Sequence, residues 1–201
     1  SCAGPDGIPF ACYRADARAG GPVSRLLHRV LVSLCSGERG PPDFNKARLF
    51  LIAKTDSQLD QDTRPISVTD AANRIVASCL ADTHTPALQQ FIEPTQKSFV
   101  PARVGTEHVH GLTNEFYASL TAKKQLYLLS LDTARAFDSI SHAFIRKLLR
   151  HIDMPAWVCN VVDGLLHNVT VVAAMVGAIA TAINICRGVK QGCPFSPLLF
   201  I

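Results

Sequence analysis

Hydrophobic residues recur at helical spacing early in the chain. Between residues 23 and 34 they lie three or four positions apart, at Val23, Leu26, Leu27, Val30, Leu31 and Leu34. This spacing places them on one face of an amphipathic helix. Residues 36–42, which are rich in glycine and proline, follow directly and predict a loop at the end of that helix.

The same kind of pattern predicts further helices downstream. Asp70 precedes a helix predicted over residues 71–81, and Thr106 precedes one predicted to run to about residue 120. Three more helices are predicted to begin at or near Ser141, Pro155 and Leu198.

Other segments predict β-strands. Residues 48–53 are a short apolar run, and residues 125–132 place alternate side chains on opposite faces, so that Asp132 projects at the end of that strand. Residues 169–185 are uncharged, rich in β-branched residues and contain Gly177 near their middle, which predicts a β-hairpin. Their length approaches the roughly 17 residues of a membrane span, an alternative that this composition disfavours. Strands interleaved with helices predict an α/β (α+β) layered unit.

Composition narrows the class of protein only a little. With 201 residues, 48% of them hydrophobic, the chain can bury a core as one domain or as subdomains of a larger unit. We expect the second, because the chain begins inside a motif and ends within an apolar run. A net charge of +4 permits a polyanionic partner without requiring one. Seven cysteines without CxxC spacing, and no basic-then-apolar leader, indicate reduced thiols in an intracellular protein.

A loop rich in glycine and proline near the C-terminus is the most specific motif. Residues 187–200 read RGVKQGCPFSPLLF, in which Gly188 and Gly192 allow positive φ and a close approach of the backbone to a ligand. The two prolines stiffen the exit of the loop. Together with residues 131–138, which read LDTARAFD, this loop resembles the nucleotide-binding loop and the acidic palm element of reverse transcriptases.

Further short blocks extend the resemblance over nearly the whole chain, in the order in which that family has them. They are residues 4–9 (GPDGIP), 64–67 (RPIS) and 96–103 (QKSFVPAR). As a set they are most similar to reverse transcriptases of non-LTR (LINE-like) retrotransposons.

The resemblance implies the fingers and palm of a right-hand polymerase, with a mainly antiparallel palm sheet packed on helices. Residues 1–120 would form the fingers and the start of the palm. Residues 121–201 would form the palm portion that carries the acidic strand and the glycine loop, in a domain that is incomplete at its C-terminus.

The resemblance also assigns roles around the acidic element. Asp132 would be the first metal-binding carboxylate, with the Thr133 carbonyl as a second oxygen, because two Mg²⁺ (or Mn²⁺) ions bridge the triphosphate in this chemistry. An isolated aspartate at this place is also typical of a turn cap, a local role that suits Asp138. Phe137, next to Ala136 at the implied nucleotide site, would clash with a 2′-hydroxyl as a steric gate; the alternative is an ordinary core phenylalanine.

Three motifs supply candidate contacts to the nucleotide. Arg64 resembles the fingers arginine that closes over it, since a guanidinium forms paired, charge-assisted bonds to phosphate. Lys54, in a polar loop predicted over residues 54–63, is a second candidate cation or a solvated lysine. Gln191 and Gly192 match the residues that touch nucleotide and template in the family.

The implied activity is RNA-directed DNA polymerisation, in which a primer 3′-hydroxyl is extended with deoxynucleotides on an RNA template by two-metal phosphoryl transfer. The implied partners are the RNA template, the DNA primer and dNTPs, and no membrane. Arg103 is expected to face nucleic acid together with Arg64 and Lys54. The 201-residue chain by itself is expected to be inactive.

Two alternatives stay open. The paired catalytic aspartates that follow the glycine loop in the family do not occur within these residues, so the chain is alternatively a decayed or repurposed module that binds nucleic acid without catalysis. A group II intron protein or a viral RNA polymerase is a third interpretation, which the blocks at residues 4–9 and 64–67 disfavour.

Overall fold

Helices and short strands alternate along the residues that the computed structural model describes, which are 3–53, 63–175 and 178–201. The helices are α1 (Phe10–Arg18), α2 (Pro22–Cys35), α3 (Ala71–Leu88), α4 (Thr106–Thr121), α5 (Ala136–Ser139), α6 (His142–His151), α7 (Ala156–Leu166) and α8 (Ser196–Phe200). The strands are β1 (Lys46–Ala53), β2 (Thr63–Thr69), β3 (Thr170–Met175) and β4 (Ala178–Asn184). The predicted α/β class is confirmed.

The four strands form one mixed sheet in the order β2-β1-β3-β4. β1 pairs antiparallel with β2, placing Phe50 opposite Ile66, and β3 pairs antiparallel with β4. The hairpin predicted over residues 169–185 is therefore confirmed, with Gly177 outside the described residues. The central pairing of β1 with β3 is parallel and places Ala47 opposite Val171. This pairing brings an early and a late part of the chain side by side.

The hydrophobic core lies mainly among α2, α3, α6 and α7. Its largest fully buried apolar side chains are Leu34, Ile145, Val158, Val161, Val162 and Phe195. α2 and α7 approach closely because α7 has a glycine at the contact: a Cβ on Gly164 would lie 2.6 Å from Leu34 Cδ2. The apolar stripe that predicted α2 is only partly covered, since Leu26 is 58% exposed while Leu34 is fully buried.

The predicted strand at residues 125–132 does not form. This stretch is irregular, and its apolar side chains are exposed, Tyr127 to 85% and Leu131 to 83%. A strand needs a neighbour with which to share backbone hydrogen bonds, and none of the described strands pairs with this stretch. Alternation indicates which faces a strand would have, and it carries no information on the pairing partner.

α3 is longer than predicted and continues from Ala71 through Pro86 to Leu88. Pro86 removes one backbone donor from this helix. The hydroxyls of Thr83 and Thr85 donate to the carbonyls of Cys79 and Ala81, one turn earlier. Asp70 precedes α3 as expected, but its side chain accepts a hydrogen bond from the Asp6 backbone N–H instead of capping the helix. Burial raises the pKa of Asp70. Among the described residues, none of the helices has the length and apolar character to cross a membrane.

Candidate functional site

The glycine loop, defined here as residues 187–197, lies against the segment around α5. The Gly188 N–H donates to the Ile140 carbonyl and the Val189 N–H donates to the Phe137 carbonyl, both at 2.8 Å. The Gly188 carbonyl lies 2.8 Å from Nε2 of the buried His142. These hydrogen bonds hold the first residues of the glycine loop against α5 and against the start of α6.

The other side of the loop rests on β2, the strand that carries the RPIS block. The Ser67 N–H donates to the Gln191 carbonyl at 2.8 Å. Gly192 has φ of 107°, and a Cβ there would lie 2.8 Å from the Ser67 carbonyl oxygen. Gly188 has φ of 83°, and its Cβ would lie 2.8 Å from Asp138 Cα. Both positions require glycine because the loop approaches the chain's own backbone from two sides.

The side chain of Gln191 crosses from the loop to α5. Its Nε2 donates to Asp138 Oδ1 at 3.1 Å and lies 3.3 Å from Oδ2, with Gln191 half-buried and Asp138 exposed. Asp138 was expected to have a local turn role, and its partner instead lies 53 positions away in the sequence.

Phe137 belongs to a small aromatic cluster. Its ring stacks on Phe200 with centroids 4.7 Å apart and meets Phe99 edge-on at 6.0 Å. Its side chain is partly buried against the core. Phe99 comes from the block at residues 96–103, so this cluster joins that block to the acidic element and to α8, which follows the glycine loop.

The candidate metal ligands lie in the exposed segment before α5. Asp132 and Thr133 are both exposed, and α5 begins three positions after Thr133, at Ala136. A carboxylate and a backbone carbonyl are hard oxygen donors of the kind that Mg²⁺ prefers. Over residues 3–53, 63–175 and 178–201, no three histidine, cysteine, aspartate or glutamate side chains are grouped to hold a metal ion. Asp132 and Thr133 thus fit such an ion in donor chemistry and supply only part of its coordination.

Arg64 and Lys54 are the candidate cations for the nucleotide phosphates; Arg64 lies on β2, and Lys54 precedes β2 in the sequence. Arg64 is exposed on β2, opposite Ile52 of β1 and three positions before Ser67, which binds the glycine loop. Lys54 lies outside the described residues. Arg64 therefore shares a strand with the base of the loop.

A family model described as reverse transcriptase (RNA-dependent DNA polymerase) matches residues 52–201, about three quarters of the chain. That range includes the RPIS block, the acidic element and the whole glycine loop. The chain belongs to the reverse transcriptase family.

Curated relatives of this reverse transcriptase domain come from retrotransposable elements. The chain is 32% identical over 164 residues to the retrovirus-related Pol polyprotein from type-1 retrotransposable element R2 of Popillia japonica, covering 80% of this chain and 22% of that protein. It is 29% identical over 201 residues to the type-2 R2DM Pol polyprotein of Drosophila melanogaster, covering 100% of this chain and 18% of that protein. The chain spans about a fifth of the length of these relatives.

Beneath the loop of this reverse transcriptase domain lies a buried polar network that the sequence pattern did not indicate. Lys190 Nζ donates to Asn45 Oδ1 at 3.3 Å, and Asn73 Nδ2 donates to the same oxygen at 3.1 Å. Asn45 Nδ2 in turn donates to the carbonyls of Gly164 and His167, each at 2.7 Å. Burial lowers the pKa of Lys190. The network joins the loop to the start of β1, to α3 and to the end of α7.

Arg103, which is expected to face nucleic acid, is half-buried and braces a turn of the reverse transcriptase domain. Its Nη1 donates to the carbonyls of Glu93 at 2.7 Å and Gln96 at 2.9 Å, and its Nη2 donates to that of Ile92 at 3.4 Å. These bonds use three of the five N–H donors of the guanidinium. A lone arginine in a short block gave no signal for this internal role.

Proposed function

We propose that this chain is the nucleotide-binding and template-binding portion of an RNA-directed DNA polymerase. The parent enzyme extends a primer 3′-hydroxyl with dNTPs on an RNA template by two-metal phosphoryl transfer. Family membership supports this proposal. One structural observation carries it: the glycine loop docks on β2 through Ser67 and on α5 through Phe137, so blocks far apart in sequence meet at one place.

The candidate nucleotide contacts follow from this docking. Arg64 supplies a guanidinium for the phosphates from the strand on which the loop rests. Gln191 and Gly192 present an amide and a bare backbone at the loop tip. Phe137, beside Ala136, acts as the steric gate against a 2′-hydroxyl. Lys54 stays a candidate second cation on sequence grounds alone.

The proposed metal is Mg²⁺ (or Mn²⁺), with Asp132 and the Thr133 carbonyl among its ligands. When bound, such an ion lowers the pKa of the primer hydroxyl and neutralises developing phosphate charge. Asp132 contributes the negative charge that attracts it, and the exposure of this residue leaves room for further ligands from elsewhere. The remaining carboxylates would come from residues beyond this chain.

The domain arrangement belongs to the same proposal. Residues 1–120 form the fingers and the start of the palm, and residues 121–201 form the palm portion with the acidic segment and the glycine loop. The partners are an RNA template, a DNA primer and dNTPs, and the site of action is intracellular, in the nucleus or cytoplasm.

Primer extension on an RNA template tests this proposal. The protein is the chain extended through the residues that follow Ile201 in its reading frame, and we expect template-directed addition of dNTPs that requires Mg²⁺. The 201-residue chain alone serves as a control and should add no nucleotide. If the extended chain binds primer-template but adds no nucleotide, the result would contradict polymerase activity. It would favour the alternative of a module that binds nucleic acid without catalysis.

A further inference from the structure

Most of the chain's net positive charge is concentrated in its first two helices. Residues 10–35 contain four arginines and one aspartate, a net charge of +3 out of +4 for the whole chain. The arginines are Arg14, Arg18, Arg25 and Arg29, and all four are exposed. They are called the arginine patch below.

The arginine patch is spread over two helices that pack against each other. Arg14 and Arg18 are four positions apart on α1, and the two arginines of α2 have the same spacing, so each pair shares one helix face. Arg25 Nη1 donates to the Gly20 carbonyl in the turn between the helices at 2.9 Å. Arg14 lines a cavity of about 390 Å³ together with His28, which lies next to Arg29 in the sequence.

Within residues 3–53, 63–175 and 178–201 the arginine patch takes part in no ion pair. Ion pairs among the described residues involve Lys46, Lys97 and Arg146, and none includes an arginine of the patch. The nearby carboxylate of Asp16 accepts hydrogen bonds from the Ser24 N–H and hydroxyl, both at 2.9 Å. These bonds, the backbone one foremost, lower the pKa of Asp16, and the charge of Arg25 adds a smaller effect in the same direction.

We propose that the arginine patch binds the phosphate backbone of an RNA strand. Guanidinium groups bind phosphate oxygens with paired hydrogen bonds, and contacts of this kind position nucleic acid without reading its sequence. The patch lies on α1 and α2, whereas the glycine loop is held by β2 and α5. It is therefore a second nucleic-acid surface, and its binding does not require catalysis.

An anionic membrane is the rival partner for a basic helical surface. Binding in the membrane interface needs large apolar side chains next to the cations. On α1 none of the large hydrophobic side chains is exposed, and the residues beside its arginines include the exposed Ala11 and Ala15. α2 exposes Val23, Leu26 and Val32, while Val30, Leu31 and Leu34 pack in or against the core. This distribution favours RNA.

The test is a salt titration of binding by the 201-residue chain to a fluorescent oligo(U) RNA, read by anisotropy. The first variant carries Arg14→Gln, Arg18→Gln, Arg25→Gln and Arg29→Gln. A matched control carries Lys123→Gln, Lys124→Gln, Lys147→Gln and Arg150→Gln, which removes the same charge from other exposed positions. A double variant, Arg14→Gln with Arg18→Gln, alters only α1, none of whose residues is buried, and guards against misfolding of the quadruple variant.

The quadruple patch variant should lose four phosphate contacts, so its association constant should fall less steeply with salt. We expect the magnitude of the slope of log K against log salt concentration to decrease by about 3 for a single strand, and by about half as much in the double variant. The control should change it by less than about 1. Equal losses in the patch and control variants, or an unchanged slope in the patch variant, would overturn the proposal. So would loss of binding to phosphatidylserine vesicles with RNA binding intact, which would identify a membrane surface. A failure of primer extension would leave these binding results unaffected, so the two proposals fail separately.

Discussion

Gln191 Nε2 donates to Asp138 Oδ1 across a distance of 3.1 Å, joining the tip of the glycine loop to α5. The loop and the acidic element are separate motifs in the sequence, and this bond is a side-chain link between them. In the proposed polymerase Gln191 faces the nucleotide and template. Asp138 then acts on that contact by orienting the amide.

Removing the acceptor should release the Gln191 amide. We expect Asp138→Ala to shift the side-chain NH₂ resonances of Gln191 toward those of a solvated glutamine, because the carboxylate acceptor is lost. Asp138→Asn keeps an acceptor oxygen and should shift them less. Heteronuclear NMR of the purified chain measures both. Unchanged Gln191 resonances in Asp138→Ala would show that the bond does not persist in solution.

Gly192 should tolerate no side chain. Gly192→Ala combines positive φ with a Cβ 2.8 Å from the Ser67 carbonyl, and we expect it to lower the free energy of unfolding by at least about 2 kcal/mol. Gly111→Ala is the matched control, because Gly111 lies within α4 and its Cβ would meet nothing within 4 Å. The control should gain up to about 1 kcal/mol. Urea unfolding of both variants checks this, and equal stabilities would contradict the docking of the loop on β2.

The buried Lys190 should make stability depend on pH in a defined direction. Burial lowers the pKa of Lys190 from its ordinary 10.5, so the folded chain loses this proton at a lower pH than the unfolded chain. Between the folded pKa and 10.5 the unfolded state binds more protons, and the contribution of Lys190 to the free energy of unfolding therefore rises with pH. Lys190→Met lacks this contribution.

The wild-type chain should thus gain stability over Lys190→Met as pH rises toward 10.5, by at most about 1.4 kcal/mol per pH unit. Urea unfolding at a series of pH values measures the difference. Lys147→Met, at an exposed position of α6, is the control and should show little pH dependence relative to wild type. A pH-independent difference for Lys190→Met would mean that Lys190 is not buried in solution.

Phe137 should control sugar selectivity through its shape. In the extended polymerase we expect Phe137→Ala to raise the use of ribonucleotides relative to deoxynucleotides, because the clash with a 2′-hydroxyl disappears. Phe200→Ala removes the stacking partner of Phe137, an aromatic contact of about 1 kcal/mol, and leaves the gate in place. Single-nucleotide kinetics compare the two variants. An unchanged sugar preference in Phe137→Ala would make Phe137 a packing residue.

Local patterns in the sequence predicted much of the fold. The apolar spacing that predicted α2 and the β-branched run that predicted β3 and β4 both depend on neighbouring residues, and both elements form. The strand predicted at residues 125–132 does not form, because a strand depends on a partner that alternation cannot identify. α3 also extends past Pro86 to Leu88, although proline removes a backbone donor from the helix.

The candidate site was predicted only in part, because the sequence pattern does not show which distant residues come into contact. The glycines at positions 188 and 192 were recognisable from composition, and the structure shows that the backbone they approach is the chain's own. The bond between Lys190 and Asn45 spans 145 positions, and a lysine between valine and glutamine shows no sign of burial. The burial of Lys190 therefore depends on a contact between distant parts of the chain, which only the tertiary structure reveals.

The most direct test of polymerase function is Asp132→Asn in the extended chain, assayed by single-nucleotide addition to a primer on an RNA template with Mg²⁺. The substitution removes a metal-binding charge and keeps the size of the side chain. Asp153→Asn, at an exposed carboxylate with no assigned role, is the control and should extend normally. We predict that Asp132→Asn folds and binds primer-template but adds no nucleotide. Near-normal addition by this variant would contradict the account.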